Sequence, residues 1–95
     1  MFARVTHFQM KPDMVQDAIA RLDQMKPAIM NLPGLHQFIN AINEDGSGCV
    51  VALVESKEIS DANEDAVAQL WSQFADHLTA PPEASGFDFV ANWSA

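Results

Sequence analysis

The chain has no tyrosine, one cysteine, four glycines and only five lysines and arginines in 95 residues. Each scarcity excludes something. The lone Cys49 rules out an intrachain disulfide framework, and its place in the apolar run Cys49 to Val54 marks it as a packing residue suited to a reducing compartment. Arg4, Lys11, Arg21, Lys26 and Lys57 are scattered and set against thirteen acidic residues, for a net charge of −8. No cationic surface for phosphates results, so nucleic acid is not an expected partner. No stretch approaches the roughly twenty apolar residues that cross a bilayer, and Met1 to His7 lack the apolar run of a signal peptide. A cytoplasmic protein without a membrane partner is expected. Gly-rich phosphate loops, a nucleophile elbow and a recognisable Cys–His pairing are all missing, which leaves nucleotide binding and covalent catalysis unsupported. His7, His36 and His77 have no close ligand spacing, and Asp61, Glu64 and Asp65 lack the calcium-loop pattern. No metal or other cofactor is expected.

What is present organises residues 1–95 as one domain. Leu35 to Ser56 reads as two strands around a turn holding Gly46 and Gly48. Phe2 to Met10 mixes β-branched and aromatic residues and is stopped by Lys11-Pro12-Asp13, which makes it a first strand. From Met14, the positions Val15, Ala18, Ile19, Leu22 and Met25 recur at helical spacing. Pro27 is expected to kink or split this helix before Asn31-Leu32-Pro33-Gly34 ends it. After the hairpin, a second helix is expected to start at Ser60, Asp61 or Asn63 and to carry the stripe Val67, Leu70, Trp71, Phe74 and Leu78. Ala80-Pro81-Pro82 blocks it, and the alternation Gly86 to Trp93 predicts a final strand.

The sum is an α+β, ferredoxin-like β-α-β-β-α-β chain: a four-stranded antiparallel sheet in the order 4-1-3-2 with two helices on one face. The third strand is apolar without alternation, so both of its faces should be buried, yet the helices cover only one. The simplest cover for the other is a second copy, giving a sheet-to-sheet homodimer.

The candidate residues each admit two readings. His7 lies mid-strand; facing the helices it would put an acid–base group into an apolar pocket, and facing away it would sit half-buried at the sheet or the dimer face. Trp71 is either a platform for a flat ligand or a core tryptophan, and Asn40 either orients a ligand carbonyl or satisfies itself at the sheet edge. Phe38 and Phe74 either line a pocket with Trp71 or fill it. On a continuous helix His77 would lie about 120° from Trp71, at a pocket mouth, or else stand in solvent near the helix end. The five methionines, Met10 and Met14 among them, read as adaptable packing or as the wall of a forgiving pocket.

Several segments together resemble the antibiotic biosynthesis monooxygenase-like (ABM) family of dimeric α+β barrels. They are the short first strand, Leu32-Pro33-Gly34-Leu35 before the second strand, the acidic turn Asn43-Glu44-Asp45-Gly46, and Val54-Glu55-Ser56-Lys57 leading to a Trp-bearing helix that ends near His77. The resemblance implies a homodimer with a pocket for a small apolar or aromatic molecule in each subunit. It also implies a cofactor-independent monooxygenase acting on an aromatic or quinol-type substrate, with His7 and His77 as catalytic groups and Asn40, Trp71, Phe74 and Phe38 against the substrate. The haem-degrading branch carries an Asn in the first strand where His7 stands here, so haem chemistry is not implied. The alternative is a non-catalytic ligand-binding or stress-related dimeric protein.

Overall fold

A computed structural model describes residues 1–95. The order is β1 (Phe2–Gln9), a 3-10 turn (Pro12–Met14), α1 (Val15–Met30), β2 (Leu35–Ile42), β3 (Ser47–Val54), α2 (Lys57–Ala62), α3 (Glu64–Ser72) and β4 (Glu83–Phe87). The strands form one antiparallel sheet in the order β2-β3-β1-β4, the topology expected from the sequence.

The hairpin is built as its residues dictate. Gly46 takes φ 91° in the turn, where its carbonyl accepts the Met10 amide at 2.8 Å, and Asn43 N–H donates to the Ser47 carbonyl at 2.8 Å. Gly48 is not a turn residue. It lies inside β3 with the Phe8 ring stacked over it, so close that a Cβ there would stand 2.5 Å from Phe8 Cζ.

Three details differ from expectation. α1 runs unbroken through Pro27 and ends at Met30. Pro27 lies on an exposed stretch with Asp23, whose carbonyl is the helical acceptor that goes without a donor, so solvent can make good the loss. The second helix begins earlier and is divided. Ser56 Oγ caps α2 by accepting Ile59 N–H at 3.2 Å, and the break falls at Asn63, whose amide donates to the Pro33 carbonyl at 2.9 Å. α3 then stops at Ser72, and Phe74 to His77 continue in turns. Finally, β4 is Glu83–Phe87 rather than Gly86 to Trp93, because its ladder pairs Glu83 to Phe87 with His7 to Ala3 of β1. Phe89 and Trp93 lie beyond it, 88% and 91% exposed. Alternation identifies a chain able to form a strand; the backbone partner decides where it pairs.

The register fixes the two faces of the sheet. Thr6 pairs Val50, which pairs Asn40; Arg4 pairs Ala52, which pairs Phe38; and Phe8 pairs Gly48, which pairs Ile42. These rows face α1 and α3, where the core of Phe8, Met10, Ala18, Val50 and Phe74 forms, flanked by Leu22, Met25 and Trp71. The opposite face carries Ala3, Val5, His7, Val51 and Cys49, with Ile39 and Phe87 each 52% exposed at its sides.

Candidate functional site

Helices and sheet do not close on one another completely. Between them lies a cavity of about 450 Å³, floored by the helix-facing rows of β1, β2 and β3 and roofed by Leu22 and Met25 of α1 and Val67 and Trp71 of α3. Its size falls in the range of small-molecule pockets, and its wall is chiefly apolar with a few polar side chains.

The cavity has two unlike ends. At one, the Trp71 ring lies 5.7 Å from Phe8 in a tilted arrangement and 6.3 Å from Phe74 in an edge-on one. At the other stand Arg4, Ser60, Asn63 and Glu64. Arg4 Nε donates to Ser60 Oγ at 2.9 Å and its Nη2 to Asp61 Oδ1 at 3.2 Å, so the guanidinium is held by α2 while still bordering the cavity. Four residues along β1 separate Arg4 from Phe8, roughly 13 Å at the strand rise. Midway, Thr6 and Asn40 share one row with Val50 between them.

Of the six residues the sequence singled out, the structure brings four together: Phe38, Asn40, Trp71 and Phe74 all line the cavity. The two histidines do not join them. His7 points to the opposite face because it alternates with Thr6 and Phe8, and it is exposed. His77 is neither at a pocket mouth nor in solvent: it is 3% exposed, its ring 5.6 Å from that of Phe74, with Nε2 2.5 Å from Asp17 Oδ2. The helix ends before reaching it, so the helical projection from Trp71 does not apply.

Sequence reasoning missed Arg4 and Thr6. The signal was there: Phe2 and Phe8 share parity with both, and if the aromatic rings face the core, so must the residues between them. The ionisable groups in the cavity wall are Arg4 and Glu64 alone. No group of His, Cys, Asp and Glu side chains is arranged to hold a metal ion.

No protein-family model matches the chain, and no characterised protein matches it by sequence. Solved structures do match in fold. A Bordetella bronchiseptica protein, named provisionally as an antibiotic biosynthesis monooxygenase, superposes with a TM-score of 0.78 at 18% identity over 95% of this chain and 97% of that one. Rv0793 from Mycobacterium tuberculosis gives 0.75 at 18% identity over 98% of each chain. The ActVA-Orf6 monooxygenase of Streptomyces coelicolor, solved with the ligand nanaomycin D, gives 0.73 at 22% identity over 99% of this chain and 91% of that one. With its four antiparallel strands and helices on one face, the chain has the α+β ferredoxin-like fold of the antibiotic biosynthesis monooxygenases.

Proposed function

We propose that the protein binds a flat aromatic or quinol-type molecule in its sheet–helix cavity and oxygenates it without a cofactor. The observation that carries this reading is the open cavity itself. Phe38, Trp71 and Phe74 line a space large enough for a fused-ring guest rather than filling it. The monooxygenase names of structures sharing the fold add support.

The chemistry draws its electrons from the substrate. A phenol with a free para C–H, once ionised, is a carbon nucleophile able to reduce dioxygen. One oxygen atom bonds to carbon and the other leaves as water, so phenol plus dioxygen yields quinone plus water. The chain would contribute a dry apolar enclosure, an amide at Asn40 and the indole N–H of Trp71 to hold developing negative charge on oxygen. With no histidine in the wall, deprotonation falls to Glu64 or to a substrate that arrives ionised.

The functional unit we infer is a homodimer closed over the outer face. Supporting this are the half-exposed Ile39 and Phe87 and the almost fully exposed Phe89 and Trp93. No helix is long and apolar enough to cross a membrane. A cytoplasmic setting accords with the single unpaired Cys49.

Oxygen uptake with hydroxylated anthraquinones and quinols tests the reading. Consumption of one dioxygen per product, lost in Trp71→Ala and kept in His7→Ala, is the expected result. The scarcity of acid–base groups in the wall favours one other function, ligand binding without turnover. Stoichiometric binding in calorimetry with no oxygen consumed would establish that instead.

A further inference from the structure

The geometry points to Arg4 as the residue that selects the ligand: the cavity takes an elongated molecule with an aromatic body and an anionic group, carboxylate or ionised hydroxyl, at the end away from Trp71. This rests on the reading of the cavity as a ligand site and goes beyond it by giving the ligand a charge, a length and a direction.

Arg4 is the sole basic side chain in the cavity wall. It cannot swing freely, because Nε is engaged by the buried Ser60 and Nη2 by Asp61. A guanidinium has five N–H donors, and Nη1 makes no hydrogen bond within the chain. The Asp61 carboxylate that balances its charge is half-exposed, with its side chain 51% accessible, and is shared with Lys57 at 3.5 Å, so water screens the pairing. An arginine fixed on two donors with others unspent, beside an apolar cavity, is arranged to receive an anion. Phe8 stands four residues along β1 from Arg4, roughly 13 Å between backbone positions, with the Trp71 ring beside it, so the anionic and aromatic parts of a ligand are set well apart. Glu64 borders the same end and is exposed, so it opposes an anion weakly.

Calorimetry with two probes, an anthraquinone carboxylic acid and the matching neutral hydroxymethyl anthraquinone, tests this. The quantity read is the ratio of their affinities within each variant, which a partly unfolded fraction leaves unchanged. The unmodified chain should prefer the carboxylate about tenfold, as a charge-assisted hydrogen bond requires. Arg4→Met should bring the ratio to about one while keeping the neutral probe bound, Arg4→Lys should retain part of the preference, and Glu64→Gln should increase it. Equal binding of both probes to the unmodified chain, or a preference that survives Arg4→Met, overturns the role of Arg4 and leaves the aromatic site standing. Failure of both probes to bind overturns the site and this inference together.

Discussion

The Nε2 atom of His77 and the Oδ2 atom of Asp17 lie 2.5 Å apart, joining the turn that follows α3 to the first turn of α1. The imidazole is buried while the carboxylate is 63% exposed, and Nδ1 has no partner at all. The pair is thus a fastening between the two ends of the helical layer, reinforced by Lys11 N–H donating to the His77 carbonyl at 2.8 Å. His77→Ala should cost about 2–4 kcal/mol in denaturant unfolding, as removal of a buried ring does. Asp17→Asn should cost about 1 kcal/mol or less, since one partner is open to solvent. Where the variants remain folded, affinity for the neutral anthraquinone should stay within about twofold, because His77 does not line the cavity.

Trp71 carries the aromatic end of the cavity. Its truncation to alanine removes the stacking surface beside Phe8 and enlarges the space, so affinity for a fused-ring ligand should fall about tenfold to a hundredfold. Trp71→Phe keeps a ring and should lose far less. Equal losses in the two variants would argue for a packing effect instead of ligand contact.

Asp45 supplies a pH-dependent contribution at the hairpin turn. Its carboxylate accepts from Ser47 Oγ at 2.6 Å and from Ser47 N–H at 2.9 Å, and the hydroxyl, followed by the amide, holds its pKa below the ordinary aspartate value. Because the folded-state value is depressed, the contribution is fully present above the unfolded-state value and is lost as the pH falls through the folded one. An NMR titration of the Asp45 side-chain carbonyl should show the lowered midpoint. Ser47→Ala should return it towards the usual range.

Gly46 has no tolerated substitute. At φ 91° any side chain is strained, and a Cβ would collide with the Met10 carbonyl. Gly46→Ala should destabilise by about 2 kcal/mol or more, measured by thermal or denaturant unfolding.

Sedimentation at micromolar concentration should report two chains per particle. Ile39→Lys combined with Phe87→Glu should release single chains without unfolding them, since both side chains are half-exposed in the lone subunit. A stable single subunit for the unmodified chain would sink the dimer.

How far the sequence could be read follows from what each feature depends on. The element order and the central place of β1 and β3 were legible because hydrophobic period and turn chemistry are local. Trp71, Phe74, Phe38 and Asn40 were legible as residues facing the helix–sheet interior, which left open whether they line a ligand site or pack a core. The break at Asn63 was not, since the amide that marks it bonds to Pro33, thirty residues earlier in the chain. The face chosen by His7 was a matter of one-residue parity in a strand with buried residues on both sides, and the large rings of Phe2 and Phe8 decided it. Arg4 was overlooked because a count of basic residues treats each as a surface charge, whereas this one finds its partners at Ser60 and Asp61 after folding.

One missing side chain makes room for the Phe8 ring at the cavity floor. A Cβ at position 48 would collide with the Ala41 carbonyl oxygen and stand 2.5 Å from Phe8 Cζ, so even a methyl would force both the ring and the neighbouring strand backbone to give way. Gly48→Ala is therefore expected to reshape the cavity floor beside Trp71.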